Sequence, residues 1–218
     1  MENSKKKIVL ILLLISIVIF LSLLIIYINQ KKITSNLIEK EVSKIDYNEN
    51  VPKESIEPIY SLEQVEEVTI SEFYKHKKEF KNIKSKGRLI IDSIDLNLPL
   101  FPGLNNVHLM AGAGEQLPEN DIQPGGVGNY ILASHKMSYS KNLGFSRLDK
   151  VREGDIIKVV IGENEYKYKV FLSKVVLNSE TQYLDDEENR AIITLYTCED
   201  LYNTRNSAKV VVQGELVR

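Results

Sequence analysis

From residue 8 to 28 the chain is apolar almost without a break, reading I-V-L-I-L-L-L-I-S-I-V-I-F-L-S-L-L-I-I-Y-I. About 21 residues without a charge predict a helix long enough to cross a bilayer. A cleavable leader has a shorter apolar core, roughly 7 to 15 residues, and ends at a small-residue cleavage site. Here the run meets Asn29, Gln30, Lys31 and Lys32 instead, so the reading is a retained anchor. From 29 to 85 the texture turns to Lys, Glu, Asn and Ser, that of a polar stalk. Leu62, Val65, Val68, Phe73 and Phe80 form a thin apolar stripe in it and predict a helix over 61–80. Ser61 caps that helix, with Gln64 in capping-box position.

From Gly87 onward short apolar runs alternate with turn residues. They predict strands at 88–91, 97–100, 129–133, 155–161, 166–176, 191–197 and 209–217. The E-Y-K-Y-K-V-F run at 165–171 alternates as a strand with one wet face should, and I-G-E-N-E at 161–165 turns a hairpin. Residues 142–150 are the best helical candidate in this region. Many short strands with little helix argue for an all-β domain, a closed antiparallel sheet or a sandwich. The glycine-rich stretches 111–114 and 124–128 lack the G-K-[ST] ending of a phosphate loop and read as turns or bulges.

Composition narrows the function classes. With Lys and Arg at 28 against Asp and Glu at 30, there is no basic excess to recruit nucleic acid. Lysines flank the apolar run on both sides (Lys5, Lys6 and Lys7; Lys31, Lys32, Lys40 and Lys44), so charge alone does not orient it. Length does: a seven-residue tail stays inside and the large polar domain crosses. Cys198 is the single cysteine, which removes both an intramolecular disulfide and a cysteine-rich metal site. An unpaired-by-composition thiol outside the cell calls for a reason. The three histidines, His76, His108 and His135, are scattered. His76 lies in Y-K-H-K-K and reads as part of a solvated face. Glu115, Glu119 and Asp121 share a loop; a weak calcium site is one reading, solvated acids the other.

Cys198 and His135 each close an apolar strand. A thiol and an imidazole on one rim of a barrel are the minimal apparatus for acyl transfer, the sulfur attacking a carbonyl and the imidazolium protonating the leaving amine. Each alone reads more readily as structural: a small buried hydrophobe, a satisfied histidine.

The T-L-Y-T-C run at 194–198 resembles the T-L-x-T-C signature of sortases, the membrane-anchored transpeptidases of Gram-positive bacterial surfaces. L-P-L-F-P-G at 98–103, L-M-A-G-A-G at 109–114, G-N-Y-I-L-A-S-H at 128–135 and V-V-V-Q-G-E-L at 210–216 follow in the family's order. The resemblance covers roughly 87–218. The L-x-x-G-A-G run, with no C-terminal membrane segment and no aromatic lid motif in the stalk, resembles class A.

The resemblance implies an eight-stranded β-barrel over 86–218 with one or two short helices, after a cytoplasmic tail (1–7), a transmembrane helix (8–28) and an extracellular stalk (29–85). It implies that Cys198 attacks the Thr–Gly bond of an L-P-x-T-G sorting signal and holds the acyl group as a thioester. An amine then resolves it, from a lipid-linked cell-wall precursor or a pilin lysine, with His135 as acid and then base. Thr197 is implied to position substrate by hydrogen bonding. No cofactor is required. The alternatives are a pilin-polymerising sortase, a cysteine peptidase with water as acceptor, and a non-catalytic tethered barrel. The chain departs from the family in two places. The family's arginine sits five residues before the position of Gly214, which here is Lys209. The nearest arginine, Arg205, is four residues earlier, roughly 13 Å of extended chain. A guanidinium fork suits a carbonyl-rich substrate better than an ammonium, so Arg205 is the expected cation and Lys209 the alternative. Ser134 replaces the family's common glycine before the histidine.

Overall fold

The computed structural model describes residues 2–45, 58–59, 67–116, 122–137, 139–201 and 204–217, without the side chains of 2–5, 200, 201 and 204–207. The domain is a closed barrel of eight strands: β1 (Gly87–Ile91), β2 (Leu96–Phe101), β3 (Ala113–Gln116), β4 (Gly128–Ala133), β5 (Ile156–Ile161), β6 (Asn164–Leu177), β7 (Ala191–Leu201) and β8 (Thr204–Leu216). Around the barrel they run β1-β2-β3-β4-β7-β8-β6-β5. Most neighbours are antiparallel, but β2 with β3 and β4 with β7 are parallel. Closure leaves no sheet edge to cap.

Strand alternation divides the sheet into two faces. Leu98, Leu89 and Val159 stand in one register line and Leu132, Leu195 and Val212 in another, all filling the barrel. Ala133, Tyr196 and Val211 form a register line on the opposite, outer face, where they join Leu104, Leu109, Tyr183 and Leu184. One buried ion pair is associated with this fold: Lys86 reaches both oxygens of Glu115 at 2.7 and 2.9 Å, and the Tyr130 hydroxyl donates to the same carboxylate. Burial and that carboxylate drive the Tyr130 phenol well above its usual range.

The helices depart from the sequence reading. The helix α1 runs unbroken from Glu2 to Val42, past the apolar span and into what reads as stalk. At 1.5 Å per residue it is about 60 Å long. Its last third belongs to the domain: Thr34, Ser35 and Ile38 are buried, and Glu39 accepts a hydrogen bond from the Ser140 hydroxyl. Ile38 joins Phe73, Phe80, Phe101, Met110 and Leu143 in a second core outside the barrel.

The helix expected over 61–80 is shorter. Residues 67–69 are not helical, and α2 spans Ile70–His76 with Thr69 as its cap, accepting from the Glu72 N–H at 3.1 Å. Ser61 and Gln64 lie outside the described residues. His76 is not on a solvated face; its ring nitrogens meet Glu72 at 2.7 Å and Glu79 at 2.8 Å. A third helix, α3 (Asn106–Ala111), arises where the sequence suggested none. Over 142–150 only the turn Leu148–Lys150 is helical. Gly144 explains that: its φ is +51°, and a Cβ there would lie 2.1 Å from the His135 carbonyl oxygen. The loop must close against His135, whose carbonyl also accepts from the Phe145 N–H at 2.9 Å.

Candidate active site

The parallel pairing of β4 with β7 decides what meets what. Ala133 is in register with Tyr196, the Ser134 N–H donates to the Tyr196 carbonyl at 3.4 Å, and the Thr197 hydroxyl donates to the Ser134 carbonyl at 2.7 Å. Carrying that register on by two residues brings His135 to the level of Cys198. Neighbouring strands lie about 4.8 Å apart, so the two side chains share one neighbourhood. The next residues corroborate the register, since Lys136 and Glu199 form an ion pair. On its other side Cys198 is the direct antiparallel partner of Lys209 in β8.

Strand parity then assigns the face. Ala133, Tyr196 and Val211 are on the outer face, so His135, Cys198 and Lys209, each two residues away, lie there as well. Thiol and ammonium thus stand side by side on adjacent strands, and the β4–β7 register carried past the end of β4 sets His135 level with the thiol. Cys198 is exposed. Ala133, Tyr196 and Val211 make the apolar floor beside them.

His135 is half-buried as a residue, but its Nε2 is buried and has no hydrogen-bond partner among the described residues. Burial brings the imidazole down to about 4 from its ordinary 6.5, so the ring is neutral at pH 7. A buried neutral imidazole can accept a proton once a partner offers one. The Ser134 hydroxyl donates to the Gly112 carbonyl at 2.6 Å; this serine ties the histidine's strand end to the turn between α3 and β3.

Thr197 is buried, and its hydroxyl is engaged by the Ser134 main chain. It holds the two strand ends together. Lys209 Nζ donates to Asn178 Oδ1 at 3.2 Å. Arg205 belongs to β8, and its side chain lies outside the described residues. Between Glu199 and Leu201 the β7–β8 register slips, so Arg205 has no simple row assignment. Glu115 has its carboxylate buried and occupied by Lys86 and Tyr130; Glu119 and Asp121 lie outside the described residues. Among the described residues no group of three or more metal-type side chains converges.

Residue-type reasoning passed over Tyr196, which lies on the same face as Cys198. It stands two residues from Cys198 on the same face, and its hydroxyl donates to Gln116 Oε1 at 2.5 Å. Burial, and then the nearby Cys198 sulfur, push its phenol up. The signal was available in T-L-Y-T-C, because i and i+2 share a strand face.

A family model described as "Sortase domain" matches residues 89–217. The chain belongs to the sortase family. Sortase A of Bacillus anthracis is 30% identical over 191 residues, which is 88% of this chain and 83% of the relative. The solved sortase A of Listeria monocytogenes superposes with a TM-score of 0.54 at 34% identity, covering 62% of this chain and 88% of that one. Sortase C-1 of Actinomyces oris superposes with a TM-score of 0.56 at 25% identity, over 84% and 99%. Sortases are cysteine transpeptidases, and the eight-stranded barrel expected from the sequence is the one observed. The helix α1 is long and apolar enough to cross a membrane.

Proposed function

We propose that this sortase cleaves an L-P-x-T-G-type sorting signal between Thr and Gly through a Cys198 thioester and passes the acyl group to an amine. The observation that supports the reading is the pairing of Cys198 with Lys209 across β7 and β8, with the β4–β7 register leading His135 to the level of the thiol beside one apolar floor. The Cys198 thiol gives its proton to neutral His135 as sulfur bonds the threonyl carbonyl carbon. The tetrahedral oxyanion collapses, the C–N bond to Gly breaks, and the imidazolium protonates the leaving amine. An incoming amine then attacks the thioester, His135 takes its proton, and the thiolate leaves and is reprotonated.

Lys209, opposite Cys198 in register, is the cation this reading assigns to the oxyanion, in preference to Arg205. Its ammonium supplies charge where negative charge develops. Thr197 fixes the spacing between sulfur and imidazole. The apolar part of α1 crosses the membrane with residues 1–7 inside, and the barrel works at the extracellular face on surface proteins. A lipid-linked cell-wall precursor is the proposed acceptor.

The test is incubation of the full chain in detergent micelles with a sorting peptide, with and without an added amine. Peptide–amine conjugate formed at the expense of free acid supports transpeptidation. Free acid alone at every amine concentration makes the enzyme a peptidase.

A further inference from the structure

The ladder between β4 and β7 stops short of the chemistry. Its last register pair is Ala133 with Tyr196, two residues before His135 and Cys198. The main-chain bond beyond it, from the Ser134 N–H to the Tyr196 carbonyl, is long at 3.4 Å. Past that point two side-chain contacts continue the alignment. One is the Thr197 hydroxyl on the Ser134 carbonyl at 2.7 Å. The other is the ion pair of Lys136 with Glu199, which joins the residue after the imidazole to the residue after the thiol.

The place of that pair separates it from the reacting groups. Glu199 is still in regular register, opposite Ala208 of β8, and the register slips only beyond it. As the residue after Cys198 on an extended strand, it sends its side chain to the face opposite the thiol. Lys136 meets it there. Lys136 also bridges Gly144 through its main chain, in the loop that closes on the His135 carbonyl. The side chains of Lys136 and Glu199 are 26% and 18% exposed. A pair withdrawn from water to that extent attracts more strongly than an open surface pair, which contributes little.

We infer that Lys136 and Glu199 are positioning residues whose ion pair ties the end of β4 to β7 and so holds the His135 imidazole level with the Cys198 thiol. The inference rests on the proposed proton transfer between the two; the tie itself is read independently of it. Proton transfer needs donor and acceptor within hydrogen-bond reach, and a strand end that drifts carries the imidazole out of it. The thiol, its apolar floor and Lys209 stay where they are, so the loss falls on the chemical step and not on peptide binding. A through-space effect of the two charges has a different signature. Removing the Lys136 ammonium would disfavour the thiolate and removing the Glu199 carboxylate would favour it, so the two changes would act in opposite directions. Cutting a tie acts in the same direction from either end.

The experiment uses the full chain in detergent micelles and compares Lys136→Met, Glu199→Met, the double Lys136→Met/Glu199→Met and the exchange Lys136→Glu/Glu199→Lys. Methionine keeps a long flexible stem without charge. The double leaves no charge unpaired, so it is read in place of a single that fails to fold. The readouts are kcat and KM with an L-P-x-T-G peptide and the rate of Cys198 alkylation by iodoacetamide at pH 7. With the Thr197 contact still present, kcat falls about three- to tenfold in both singles and in the double, while KM stays within about twofold. Alkylation slows in all three, because iodoacetamide reacts with the thiolate that His135 helps to form. The exchange recovers both rates. Singles that move in opposite directions, a double within about twofold of the wild type, or an exchange no better than the double overturns the inference. If the wild type cleaves no sorting peptide, the proposed function falls. Alkylation alone then decides the tie, slower in the double and recovered in the exchange for it, any other pattern against it.

Discussion

Lys209 and Arg205 lie on one strand, and only Lys209 is paired across from Cys198. A cation serving the oxyanion must stand beside the sulfur, so Lys209→Ala lowers kcat/KM by about two orders of magnitude, the usual cost of losing an oxyanion donor. Arg205→Ala is expected to stay within about threefold, because this reading gives the oxyanion to Lys209. A peptide-cleavage assay on the two variants checks this, and the reverse ranking returns the role to Arg205. The buried histidines set a second expectation. Burial lowers His108 to about 4, and its ring is stacked on Phe101 at 4.9 Å with the planes 3° apart. The unfolded chain takes up this proton near pH 6.5, whereas the folded chain resists until about 4. Stability is therefore full above 6.5 and lost as pH falls from 6.5 to 4, by on the order of 3 kcal/mol for this residue. Thermal melts of His108→Leu should show a shallower fall over that window, and an unchanged slope contradicts the assignment.

Among the elements, α1 carries the largest consequence. A 41-residue helix whose far end is buried in the domain is a strut, not a tether. Ile38 is fully buried in the core shared with Phe73 and Met110; replacing it by Ala removes about 2 to 5 kcal/mol. Melts of the full chain in micelles should show that loss in the barrel itself, and a barrel transition unmoved by Ile38→Ala means the strut does not stabilise the domain. The sequence hid this docking because Leu37, Ile38, Val42 and Ile45, which pack there, are interleaved with Asn, Glu, Lys and Ser, and Thr34 and Ser35 on the same face are polar. The strands were legible because β1, β2 and β5 to β8 alternate visibly or carry long β-branched runs. Only β3 escaped, since Ala113-Gly114-Glu115-Gln116 has the composition of a turn and gains its strand character from β2 and β4. The missing helix over 142–150 has the opposite cause. Phe145 and Leu148 are three apart, as on a helix face, but Gly144 must take a positive φ to admit the His135 carbonyl.

At the scale of the molecule, the site is a product of topology. Cys198 and His135 are distant in sequence and become neighbours because β7 inserts parallel to β4, a crossover that no local pattern announces. The thiol and imidazole were legible as residue types at strand ends, and the family signature supplied their pairing. Register, which no local pattern displays, is what sets Lys209 opposite Cys198. The central claim is that Cys198 carries the acyl group. Its most direct measurement is intact-mass spectrometry of the full chain after brief exposure to a sorting peptide without amine, followed by peptide mapping. The account predicts a mass increase equal to the acyl fragment ending in Thr, located on the Cys198 peptide, released by hydroxylamine and absent in Cys198→Ala. Peptide cleavage with no such adduct, or an adduct that persists in Cys198→Ala, would contradict it.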